Sequence, residues 1–155
     1  MRLFYGKQQL CTPDRAQEQN FLLTNGLGGY ASVTGGFSVN RCDLGILVAA
    51  VKAPNERITM VHRLRESLTM GGEKFWLSTQ EFADGTPEEN GYIHQTGFSY
   101  EFTPCWTYEV SGLTLKRRCV MDFEKNTTAV LYEVENHSGA DCVIRTEPFC
   151  KFAPK

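Results

Sequence analysis

Apolar and polar positions alternate along most of the chain with a period of two, in short runs separated by glycine, asparagine or serine turns. A period of two puts successive side chains on opposite faces of a strand, so the pattern predicts β-structure. If Gly71-Gly72 forms a two-residue turn, Leu68 stands opposite Phe75 and Ser67 opposite Trp76, and Leu68, Met70, Phe75 and Leu77 share one face. If Ser111-Gly112 forms another, Val110 pairs with Leu113, Tyr108 with Leu115 and Trp106 with Arg117. The other face then carries Thr107, Glu109, Thr114, Lys116 and Arg118, as expected of an antiparallel sheet with one wet side. A third pair is expected from residues 127–135 returning through Asn136-His137-Ser138-Gly139 into residues 142–146. Val130, Tyr132 and Val134 alternate there with Ala129, Leu131 and Glu133, which suits a sheet covered on both sides.

The first twenty residues read differently. Leu3-Phe4-Tyr5 predicts a short edge strand, and Thr12-Pro13-Asp14 predicts the start of a short helix reaching Gln19, because proline suits the first turn and aspartate its positive end. Residues 21–51 then hold two apolar runs, 21–23 and 46–51, around Gly26, Gly28, Gly29, Gly35 and Gly36. Leu27, Tyr30, Val33 and Phe37 are interleaved with these glycines and need a surface to pack on, so the segment predicts a shaped loop rather than a linker. Gly28 or Gly29 is expected at positive φ, and Tyr30 largely buried. Residues 80–97, with Asp84, Glu88, Glu89, Tyr92 and His94, read as one long irregular surface excursion. Many short strands with regular turns predict an all-β antiparallel sandwich with little helix, in one domain.

Composition narrows the chemistry. Hydrophobic residues make up 41% and charged residues 22%, as in an ordinary folded domain. A formal net charge of −2 gives no electrostatic reason to bind nucleic acid or an anionic membrane. The start has no apolar signal region and no run approaches a membrane span, which reads as cytoplasmic. Six scattered cysteines without C-x-x-C read as reduced thiols, and the three histidines lie at no ligand spacing, so no metal is expected. Residues 26–31 match G-x-G-x-x-A, but no helix follows to bind a pyrophosphate, and no G-K-[ST] occurs. No cofactor is expected. Asp43 reads as a strand-end charge paired with Arg41. Trp106 and Tyr108 share an apolar face and read as core, with Arg117 placed for a cation–π contact on Trp106, whereas Trp76 and Tyr92 read as surface rings able to stack on a sugar.

The word T-N-G-L-G-G-Y-A-S at residues 24–32, followed by Arg41 and the strand G-I-L-V-A-A, resembles the opening of the N-terminal domain of bacterial and archaeal glycogen debranching enzymes of the amylo-α-1,6-glucosidase type. The resemblance runs more loosely through residues 58–68, 77–79 and 106–134. It implies a supersandwich-like fold, here partial, an α-glucan (glycogen-like) substrate, and a following helical (α/α) catalytic domain that supplies the acid and base. No catalytic residue is therefore assigned in this chain. The resemblance singles out Thr24, Asn25, Gly26, Gly28, Gly29, Tyr30 and Arg41 as a motif loop that is structural or lies at a substrate or domain interface. Where the family reads Arg-Arg-Tyr-His-Gly, this chain reads Arg41-Cys42-Asp43-Leu44-Gly45, so any contribution of the Tyr-His pair is lost. The chain is expected to be a fragment or a shortened relative. The alternatives are a stand-alone carbohydrate-binding module and a structural or oligomerising sandwich without ligand.

Overall fold

A computed structural model describes residues 2–82 and 87–155. The strands are β1 (Leu3–Gly6), β2 (Leu23–Thr24), β3 (Tyr30–Ser32), β4 (Gly45–Lys52), β5 (Glu56–Met70), β6 (Glu73–Trp76) and β7 (Thr79–Glu81). They continue with β8 (Pro87–Asn90), β9 (Gln95–Tyr100), β10 (Pro104–Val110), β11 (Leu113–Met121), β12 (Thr128–Asn136) and β13 (Cys142–Pro154). The α-helix α1 (Pro13–Glu18) begins as its sequence requires: the Arg15 amide donates to Thr12 Oγ1 at 3.3 Å, with Pro13 in the first turn.

The strands form an all-β sandwich. One sheet has the order β1-β9-β10-β11-β12, and the other β13-β5-β4-β3-β2 with β6 also paired to β5. Both two-residue turns hold in the expected register, with Leu68 opposite Phe75, Ser67 opposite Trp76, and Trp106 opposite Arg117. The core fills the space between the sheets. Trp106, Tyr108, Val110, Leu113 and Leu115 meet Val33, Phe37, Leu44, Ile46, Leu64 and Leu68 there. Edge-on contacts of Phe21 and Phe37 with the Trp106 ring, at 5.4 and 5.0 Å between centroids, key the aromatic part.

The expected third hairpin is not formed. β12 pairs with β11, from Leu113↔Asn136 to Met121↔Thr128, while β13 crosses to the other sheet and pairs with β5. β5 is 15 residues long, and β4 and β6 share one of its sides, so its other side takes the 13-residue β13. Nor is the outer face of β12 covered, since Ala129, Leu131 and Glu133 are exposed. Residues 80–97 also depart from the expected irregular stretch. β7 pairs with β8, a 3-10 turn spans Gly91–Ile93, and β9 follows. Asp84 lies outside the described residues, as does the side chain of Glu88. Among the described residues, no helix is long and apolar enough to cross a membrane.

Candidate functional site

The loop joining β2 to β3 is organised by a fully buried asparagine. Asn25 Oδ1 accepts from the Leu27 and Gly29 amides, both at 2.9 Å, and Nδ2 donates to the Lys125 carbonyl at 3.0 Å and to Asn126 Oδ1 at 3.1 Å. Asn126 then imitates a strand neighbour of Ala50, accepting from its amide and donating to its carbonyl at 2.9 Å each. Two asparagines thus tie the β2–β3 hairpin to β4 and to the β11–β12 turn, and they satisfy backbone groups that would otherwise be buried without partners.

The glycines serve this knot. Gly28 has φ of +96°, and a Cβ there would lie 2.5 Å from the Pro54 carbonyl oxygen, while its own carbonyl accepts from Arg57 Nε at 2.5 Å. A Cβ on Gly29 would lie 2.7 Å from Asn25 Nδ2. Gly26 sits against the ring of Phe123, and Thr24, paired with Tyr30, is exposed. Tyr30 is half-buried rather than largely buried, because its ring lies at the margin of the sheet; its hydroxyl donates to the Asp43 carbonyl at 2.6 Å. Burial, with Asp43 adding, raises its pKa. Arg41 does not pair with Asp43: its guanidinium donates to Asn20 Oδ1 at 3.1 Å. At the departure from the family wording, Leu44 is a core residue and Asp43 is exposed.

Two carboxylates are buried: Glu66, which the sequence analysis did not single out, and Glu89, which it placed in a surface excursion. Glu66 points inward from β5, where Arg117 Nη1 and the Tyr132 hydroxyl donate to it, and Arg117 Nη2 donates to the Tyr108 hydroxyl. The guanidinium lies 3.3 Å from the Phe37 centroid and 5.0 Å from that of Trp106, the cation–π contact expected for Trp106. Burial works against the Arg117 charge, but Glu66 and the two tyrosines outweigh it and raise its pKa; burial likewise raises that of Tyr108. Glu89, on β8, is held outside the same sheet. Arg63 Nη1 reaches its Oε2 at 2.9 Å, Arg65 Nε its Oε1 at 3.0 Å, and the Ser78 hydroxyl donates to it at 2.6 Å. Both carboxylates are fully buried and matched by guanidinium groups, so neither reaches a glycosidic oxygen.

The two rings expected to be free for a sugar are engaged. Trp76 is half-buried, with Lys74 Nζ 3.8 Å and the Arg65 guanidinium 5.0 Å from its centroid. Tyr92 sits in the 3-10 turn, partly buried against the core, and its amide donates to Thr79 Oγ1 at 3.0 Å. Among the described residues, no group of three or more histidine, cysteine or acidic side chains is placed to hold a metal.

The fold and the loop define an antiparallel β-sandwich locked at one end by a glycine-rich, asparagine-centred knot. Residues 19–154 match the family model for the glycogen debranching enzyme N-terminal domain, and the chain belongs to that family. Searches of curated proteins and of solved structures find no match.

Proposed function

We propose that the chain is the noncatalytic sandwich domain of a glycogen debranching enzyme, supporting hydrolysis of α-1,6 branches in α-glucan by an (α/α) catalytic domain. The family match over residues 19–154 carries this reading. The sequestration of Glu66 and Glu89 supports the noncatalytic part, because glycoside hydrolysis needs two carboxyl groups that flank an accessible bond. We assign the contact with the catalytic domain to the loop end of the sandwich, where the Phe123 ring stands on Gly26 with 69% of its surface exposed.

The test mixes the purified chain with an (α/α) debranching catalytic domain, with complex formation read by light scattering after size exclusion and glucose release read from limit dextrin. The chain alone is expected to release no glucose, the mixture to form a complex, and Phe123→Asp to weaken it. Glucose release by the chain alone, or the absence of any complex, refutes the proposal.

A further inference from the structure

The outer face of the five-stranded sheet carries a groove of about 370 Å³, within the range of small-ligand sites. Its shape follows from the strand register. Phe4, Ser99, Cys105 and Arg118 form one outward row across four strands, and Gly6, Gly97, Thr107 and Lys116 form the next. The middle positions are small, and Phe4, Arg118 and Lys116 are the long residues beside them, so the floor lies on β9 and β10 and the walls rise from Phe4 on β1 and from β11.

One wall is a built aromatic platform. The far edge of the Phe4 ring occupies the space over the paired glycines, 3.3 Å from where a Gly97 Cβ would stand and 3.6 Å from that of Gly6, and 61% of the residue remains exposed. Phe102, on the β9–β10 turn at one end of the groove, is 86% exposed. The floor offers hydrogen bonds: among the described residues, the Ser99 and Thr107 hydroxyls engage no other protein group. On the far wall, Arg118 spends one amino group on Glu133 at 2.9 Å, and Lys116 lies within 3.8 Å of both Glu133 and Glu135. Arg2 and Glu101, of opposite charge, both line the remaining rim. The cations are thus balanced by carboxylates, which removes the electrostatic basis for a phosphate or nucleic acid ligand.

Exposed ring faces beside unspent hydroxyls in a charge-balanced groove match a neutral ligand with apolar C–H faces and many hydroxyls. We infer that this groove is an oligosaccharide-binding site for an α-1,4-linked glucan chain, anchored by Phe4 and Phe102. The α-glucan assignment, as opposed to another neutral oligosaccharide, rests on the debranching reading above.

Native gel electrophoresis in the presence of glycogen, with calorimetry against maltoheptaose, tests it. Glycogen is expected to retard the chain. Phe102→Ala and Phe4→Ala should each weaken binding roughly threefold to tenfold, the scale of one aromatic contact, and Thr107→Trp, which fills the floor, should abolish it. Phe102 is so exposed that its substitution should leave the melting temperature unchanged, which separates lost binding from lost fold. No retardation by glycogen, or retardation that all three variants keep, overturns the site. Competition by cellohexaose equal to that by maltoheptaose overturns the α-glucan assignment. Neither result bears on complex formation with a catalytic domain, so the two readings fail separately.

Discussion

Replacing Arg117 with methionine leaves the Glu66 carboxylate in the core with, among the described residues, only the Tyr132 hydroxyl as a side-chain donor. Removing one partner of a buried ion pair costs about 3–5 kcal/mol, because the remaining charge cannot regain water. Methionine fills much of the arginine's volume, so little of that loss is a cavity. At about 2–4 °C per kcal/mol for a chain of this size, the melting temperature should fall by roughly 6–20 °C. Glu66→Met should cost a similar amount, since it strands the guanidinium against Phe37 and Trp106. The double variant removes both charges together and should be clearly more stable than the sum of the single losses predicts. Urea melts of the four proteins, treated as a double-mutant cycle, measure the coupling. An Arg117→Met loss below about 1 kcal/mol, or strict additivity, would refute the argument that these charges are held in a dry core.

The knot makes a paired prediction. Gly28→Ala should cost about 2–4 kcal/mol, combining a left-handed backbone with a collision at the Pro54 carbonyl, whereas Gly71→Ala, also at positive φ but with nothing within 4 Å, should cost only about 1–2 kcal/mol. Equal urea midpoints for the two would remove the packing argument. The histidines set a pH dependence: burial first, then nearby cations, lower the pKa of His62 and of His94. The unfolded chain therefore binds protons more readily, so this stability is present above the unfolded pKa of about 6.5 and is lost as pH falls through the lower folded values. Urea midpoints should drop between pH 7.5 and 5.5, and His62→Gln with His94→Gln should flatten that drop; an unaltered slope in the double variant contradicts it.

Local signals made much of the fold legible. The turns at Gly71-Gly72 and Ser111-Gly112, together with strict alternation, gave both hairpin registers, because a one-residue slip would have turned every apolar side chain outward. The fate of β13 was not legible. The 136–141 turn has hairpin chemistry, and which sheet a strand joins depends on an open side of β5 far away in sequence. The buried pair was half legible: the hairpin register put Arg117 against Trp106, interrupting Leu113, Leu115, Cys119, while Glu66 interrupts the inward series Leu64, Leu68, Met70 without a local partner. Two opposite charges on two apolar faces that must meet are expected to pair. In the motif loop the need for glycine was legible, but the reason was not, because the Asn25 partner Asn126 lies a hundred residues away and no local rule connects them.

The two outer faces of the sandwich differ in a way that bears on ligand binding. On the six-stranded sheet, β8 delivers Glu89 onto Arg63 and Arg65, and the cations also cover rings, Arg63 lying 4.3 Å from the Phe149 centroid and Lys74 3.8 Å from that of Trp76. A sugar stacking there would have to displace a cation already bound to the ring, so the net gain would be small. On the five-stranded sheet, among the described residues, no cation lies over the Phe4 ring, and Gly6 and Gly97 support it from beneath. Binding energy is gained where groups are exposed but already held in place, since the ordering cost has been met by the fold. By that criterion the proposed glucan contact falls in the groove rather than at Trp76 or Tyr92, and the proposed partner contact at Phe123 uses a different surface. Phe102→Ala should therefore weaken glycogen binding without affecting the partner contact, and Phe123→Asp should do the reverse.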